Sequence, residues 1–157
     1  MAKKKTFRRL LTGFTPAIAA GAIGAAASAN AQDVYDDIDK PDWAPPAEVF
    51  GPVWSGLYAL IGYSGFRMAS RKLPKRVWVL HWLQLGLNAS WSWAFFQYRS
   101  KPASLAVIGA LNVVLTTELI ALWRRDRKAA LALMPYSAWV AFATALNLSV
   151  EGLESAG

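Results

Sequence analysis

The chain has 157 residues, a one-domain length, and its 55% apolar content and positive mean hydropathy of +0.25 exclude an ordinary soluble fold of that size. Eight tryptophans fit membrane interfaces and flat ligand pockets, while the absence of cysteine excludes disulfides, thiolate metal sites and cysteine nucleophiles. A net charge of +7 would ordinarily raise nucleic-acid binding, but 14 of the 17 Lys and Arg fall in three clusters between apolar runs, so no nucleic-acid partner is expected.

The first predicted element is an apolar run at about residues 10–29, behind the basic cluster Lys3, Lys4, Lys5, Arg8 and Arg9. Two readings stand side by side. Basic n-region, Ala/Gly-rich run and Ala29-Asn30-Ala31 together resemble a signal peptide cleaved before Gln32. Alternatively the run is a retained helix, because it is longer than a usual signal core and repeats small residues at helical spacing. Ala17, Gly21 and Ala25 share one face and Ala20, Gly24 and Ser28 the next, a pattern that lets membrane helices approach closely.

A long connection follows, expected as an external loop over residues 30–46. Pro41, Pro45 and Pro46 stiffen it, which lowers the entropy lost on closing over a ligand, and Tyr35 and Trp43 supply aromatic surface. Either aromatic alone also fits an interfacial belt. The segment Gly51 to Tyr58, with Trp54, opens a second span at about 47–68, so loop and helix together suggest a lid over an intramembrane pocket.

The third span, about 77–97, holds the single histidine, His81, which is expected as an interfacial or packing residue rather than a haem or metal ligand, since a metal site normally needs several ligands. Gln84, Asn88 and Trp91 are spaced i, i+4, i+7, and Phe95 extends the stripe. Amides on one face of a membrane helix either pair with another helix or line a cavity, with Asn112 and Asn147 as possible partners. In the fourth span, about 103–123, Glu118 is the only intramembrane acid. Such charges are functional candidates by default, but its position five residues before Trp123 favours snorkelling toward Arg124 or Arg125. The fifth span, about 129–150, carries Pro135-Tyr136 and then Trp139, Ala143 and Asn147 on one face. A flat indole, a small residue and an amide suit a flat apolar ligand, and equally suit close helix packing.

The expected fold is therefore all-α, a single integral membrane bundle of five transmembrane helices with a long loop between the first two. Short later connections favour sequential helices as neighbours. With five spans all three basic clusters share the side of the amino terminus, which the positive-inside rule places in the cytoplasm, with the carboxyl terminus outside.

The segments Gly13-Phe14-Thr15, Lys40 to Pro46, Gly51 to Tyr58, Gln84 to Asn88 with Trp91 and Phe95-Phe96, and Pro135-Tyr136 through Trp139 to Asn147 are similar, in order, to the tryptophan-rich sensory protein or translocator protein family. The resemblance implies a retained first helix, a homodimer, and a pocket beneath the first loop for porphyrin or haem, with no cofactor required. It assigns Trp43, Trp54, Asn88, Trp91, Trp139 and Ala143 to that pocket, and Tyr35 to the tyrosine of a Trp-Tyr pair whose tryptophan is replaced here by Val34. The implied function is a receptor or carrier that tunes tetrapyrrole level or stress signalling, in contact with the lipid bilayer. A light-dependent porphyrin-degrading enzyme with Trp139 as its reactive indole is the alternative, weakened by the loss at Val34. Sterol or lipid binding or transport is a further one, although the tail from Asn147 lacks the Tyr, Lys and Arg of the cholesterol motif.

Overall fold

A computed structural model describes residues 1–155. Its helices are α1 (Ala2–Ala27), α2 (Ala31–Asp37), α3 (Phe50–Ser70), α4 (Lys75–Ser92), α5 (Lys101–Trp123) and α6 (Arg127–Ser149). Among the described residues there is no named strand, only an isolated antiparallel bridge between Asp39 and Glu151. Three helices, α1, α5 and α6, are long and apolar enough by themselves to cross a membrane. Neither α3 nor α4 reaches that composition, because α4 spends positions on His81, Gln84 and Asn88, and α3 on Trp54, Tyr58, Tyr63 and Arg67.

Helix ends follow local chemistry. The Ser100 hydroxyl accepts from Ala103 N–H at 3.2 Å to start α5, and Asp126 Oδ1 accepts from Lys128 N–H at 3.1 Å and Ala129 N–H at 3.4 Å to start α6. Asp126 also joins helices, since Arg67 of α3 donates from Nε at 3.0 Å and Nη2 at 2.9 Å. Burial opposes the charge on this carboxyl, but the hydrogen bonds and charge of Arg67, with the Ala129 and Lys128 N–H groups, outweigh it and hold the group below the ordinary aspartate value. Lys72 and Arg99 adopt left-handed φ values of 52° and 49°, turning the chain between α3 and α4 and between α4 and α5.

The five long helices close into a ring in the order α1, α3, α6, α5, α4. Sequential neighbours were expected; instead α3 and α4, although joined by a short turn, are not adjacent in the ring. That order is set by α3 packing on α6 and α1 on α4, and Gly13 of α1 sets the closest approach, to α3. A Cβ on Gly13 would fall on the Phe66 backbone nitrogen, one on Gly65 would lie 2.6 Å from the Gly13 oxygen, and one on Gly62 would overlap the Phe14 ring. Backbone meets backbone there, so α1 locks against α3 near the basic end of the bundle.

Below the middle of the ring the core is solid with Ile61, Met68, Leu85, Leu115, Leu122 and Leu133, all nearly or fully buried. The end nearer α2 is more open. There the connection expected as a loop over 30–46 contains α2, whose Val34, together with Ile38 just past its end, packs with Leu146, Val150 and Leu153. Asp39 and Glu151 exchange both backbone hydrogen bonds, at 3.0 and 2.9 Å, tying this lid to the chain after α6.

Candidate functional site

A cavity of about 750 Å³ lies beneath α2, within the rough 300–1,000 Å³ range of small-molecule sites. Its walls come from α1, α2, α3, α6 and the outer turns of α4, with no lining residue from α5. Small residues on α1 make the space. Ala17, Gly21 and Ala25, expected as a packing face, border the cavity, and a Cβ added to Gly21 would meet the Tyr58 ring at 3.5 Å.

Of the residues expected to bind ligand, Tyr35, Trp54, Asn88, Trp91, Phe95, Trp139, Ala143 and Asn147 all line this cavity. Gln84 and Trp43 do not. Gln84 is fully buried one layer behind, accepting from the Tyr136 hydroxyl at 2.9 Å. Trp43 is 52% exposed and lies edge-on to Phe142 at 5.9 Å, because the Pro41 to Pro46 segment carries it over the outer surface of α6. Val34 is buried among aliphatic residues and does not line the cavity.

The aromatic wall is continuous. Phe50 stands edge-on to Tyr35 at 5.3 Å and to Trp139 at 5.7 Å; Trp54 is perpendicular to Trp139 at 6.5 Å and tilted on Tyr58 at 5.7 Å. Phe50, Tyr58 and Phe96 are cavity residues that the sequence reading did not select. Phe50, Trp54 and Tyr58 recur every four residues, so a helical-face count extended one turn each way from Trp54 would have found two of them. Phe96 is harder to see. It lies in a π turn, Trp93–Gln97, where Tyr98 N–H reaches back to Trp93 O at 2.9 Å and rotates both Phe95 and Phe96 onto the cavity.

Amides crosslink the wall. Asn88 accepts from the Tyr58 hydroxyl at 3.1 Å and donates to the Tyr136 oxygen at 2.8 Å, so α4 is pinned to α3 and α6 through one side chain. Trp91 Nε1 donates to Asn147 Oδ1 at 2.9 Å, and Asn147 Nδ2 donates to the Ser104 hydroxyl at 3.0 Å. The two readings of the stripe therefore coincide, since Asn88 and Trp91 join helices and border the cavity. Asn112 serves elsewhere, donating to Thr144 at 2.9 Å.

The lid is held by its own polar contacts. The Tyr35 hydroxyl, whose pKa burial raises above the ordinary phenol value, donates to Pro45 O at 2.6 Å. Lys40 Nζ donates to Tyr35 O at 2.7 Å. Gln97 Nε2 donates to Ala27 O at 2.7 Å and fastens the end of α1 to the π turn.

Glu118 does not snorkel. It is fully buried, with Oε1 2.6 Å from Nδ1 of the equally buried His81. A short acidic side chain so close to a histidine on the facing helix pairs across the bundle instead of extending to Arg124 or Arg125. His81 is a packing residue in this sense, edge-on to Trp78 at 5.8 Å, and the pair lies outside the cavity lining.

Residues 13–153 match the TspO/MBR family. The chain is 34% identical to tryptophan-rich protein TspO of Archaeoglobus fulgidus over 150 residues, covering 90% of this chain and 94% of that one. It is 33% identical to protein CrtK of Rhodobacter capsulatus, with 87% of each covered, and 33% identical to the human translocator protein, with 74% and 72% covered. The matched region takes in every wall of the cavity, from Phe14 on α1 to Asn147 on α6, and its apolar helices make this an integral membrane protein. The chain belongs to the TspO/MBR family.

Proposed function

We propose that the protein is a five-span membrane receptor or carrier that holds a tetrapyrrole, porphyrin or haem, in the cavity beneath α2, with its amino terminus in the cytoplasm, and that it works as a homodimer. The observation that carries the binding reading is the cavity wall itself: three indoles, Trp54, Trp91 and Trp139, with Phe50 and Phe95, offer flat apolar faces, and Asn88 and Asn147 place amides among them. Stacking with a few fixed polar contacts is the way a rigid macrocycle is retained.

The donor set favours retention by stacking over axial ligation of an iron. No His, Cys or Met lines the cavity among the described residues, and the hydroxyls of its two tyrosines are engaged with Pro45 and Asn88. All five long helices cross the bilayer in this proposal, α3 and α4 included, because Ser64, His81, Gln84 and Asn88 are buried and bonded to neighbouring helices. Family resemblance supports the homodimer.

Titrating protoporphyrin against tryptophan fluorescence tests the function. Saturable quenching is expected in the native protein, with affinity at least about tenfold weaker in Trp139→Ala. Quenching that never saturates, or that is identical in the variant, would sink it. The enzymatic alternative rests on Trp139 standing 6.5 Å from Trp54, a pair of indoles in one wall. Illuminating the bound complex decides between them: a bilin-like absorbance lost in Trp139→Phe supports degradation, and bleaching no faster than free porphyrin supports binding alone.

A further inference from the structure

We propose that His81 and Glu118, with Gln84, form a hydrated polar site inside the bundle, joined to the cavity by a chain of hydrogen bonds, so that filling the cavity changes the hydrogen bonding of the pair. The site itself does not depend on what the cavity binds; only its response to a ligand rests on the binding reading above.

The chain runs atom by atom from the cavity wall. Tyr58 and Asn88 both border the cavity. The Tyr58 hydroxyl donates to Asn88 Oδ1 at 3.1 Å, Asn88 Nδ2 donates to the Tyr136 oxygen at 2.8 Å, and the Tyr136 hydroxyl donates to Gln84 Oε1 at 2.9 Å. Tyr136, Gln84, His81 and Glu118 are fully buried and stand outside the cavity lining. Gln84 Nε2, at the far end of the chain, is a donor with no partner among the described residues, about one turn of α4 from His81.

The pair is unsatisfied in a complementary way. His81 Nδ1 and Glu118 Oε1 meet at 2.6 Å, while His81 Nε2 and Glu118 Oε2 have no partner among the described residues. An apolar interior penalises net charge, and in every neutral sharing of the protons one of these two atoms is left a donor and the other an acceptor. Water resolves all three orphaned atoms, because it brings two donors and two acceptors. Residues three apart on a helix have Cβ atoms roughly 5–6 Å apart, so one water bridges the side chains of His81 and Gln84. The other buried acid, Asp126, takes no part, since Arg67 and the Lys128 N–H engage it.

The link carries orientation and not protons. Asn88 and Gln84 each accept on one side of the amide and donate on the other, so a change at one end is passed to the next bond. A ligand that takes the Tyr58 hydroxyl or turns the Asn88 amide therefore disturbs Tyr136, Gln84 and the water at the pair. His81, Glu118, Gln84 and Tyr136 are positioning residues in this arrangement, acting on the cavity through Asn88.

His81 is the one histidine of the chain, so protein made with isotope-labelled histidine and no histidine tag presents a single ring to NMR in detergent micelles. Three results are expected: cross-relaxation between water and the ring Hε1 beside Nε2, a change in the ring nitrogen shifts on saturation with protoporphyrin, and loss of that change in Tyr136→Phe and in the milder Gln84→Met. Protoporphyrin affinity, read by tryptophan quenching, should weaken on the order of fivefold in both variants although neither residue lines the cavity. No water contact at Hε1 would overturn the proposal, as would ring resonances indifferent to a bound ligand. A ligand-induced change that survives undiminished in both variants would also overturn it, because it would be ring current from the macrocycle. If protoporphyrin does not bind, the tetrapyrrole reading fails and Tyr58→Phe in the ligand-free protein replaces the ligand, since it removes the first donor of the chain. His81 resonances that do not respond to that substitution, or respond equally on a Gln84→Met background, would then refute the link.

Discussion

His81 and Glu118 hold the most expensive position in the bundle. Both are fully buried, and His81 Nε2 and Glu118 Oε2 find no hydrogen-bond partner among the described residues. A pair of this kind adds little net stability, because desolvating both groups offsets most of their attraction, yet breaking it leaves one polar group stranded. Glu118→Leu and His81→Leu alone should each lower stability by about 3–5 kcal/mol, while the double variant recovers most of the loss. Thermal unfolding in detergent measures the cycle; additive losses would show that the two side chains act independently. The pairing was legible only in part. Each residue stood out in the sequence as an oddity inside a span, but the separation of 37 positions gives no cue that they face one another.

Among the elements, α1 has the most to explain. Its small residues were readable as a packing stripe, and the structure divides that stripe into two tasks. One turn before the stripe, at the basic end, Gly13 admits the α3 backbone, whereas Gly21 and Gly24, further along, border the cavity, and a Cβ added to either would lie 3.5 Å from the Tyr58 ring or hydroxyl. The division arises because α1 and α3 touch at Gly13 and Gly65 and leave room between them toward α2. Gly13→Leu should therefore unseat α1 and lower the unfolding temperature sharply, since a backbone cannot yield as a side-chain tip can. Gly109→Ala on α5 should be neutral or stabilising by up to about 1 kcal/mol, because nothing lies within 4 Å of the added methyl and alanine favours the helix. Melting curves of both variants check this, and equal shifts would contradict the assigned contact.

For the whole molecule, the three basic clusters gather at one end of the ring and the acidic lid at the other. Under the proposed five-span topology, a tag on the amino terminus should be protected in intact cells and a tag on the carboxyl terminus accessible from outside. A carboxyl-terminal tag found in the cytoplasm would remove one span from the proposal. The same end-to-end asymmetry places the cavity beneath the acidic lid and the solid aliphatic core toward the basic clusters.

Composition and periodicity by themselves determined that the chain is helical and membrane-embedded, and that indoles and amides recur on single helix faces, because 3.6-residue spacing and apolar length are local properties. They also marked part of the cavity wall, since Asn88, Trp91, Trp139, Ala143 and Asn147 lie on stripes that any inward-facing helix would present to the interior. The ring order was decided only in three dimensions. It depends on α3 packing against α6 and α1 against α4, pairings between helices far apart in the chain that put α1 between α3 and α4 despite their short turn. Trp43 and Gln84 stand outside the cavity lining for a related reason. Whether an aromatic or an amide touches a cavity depends on which neighbour stands in front of it, and here Phe142 takes Trp43 while Tyr136 takes Gln84.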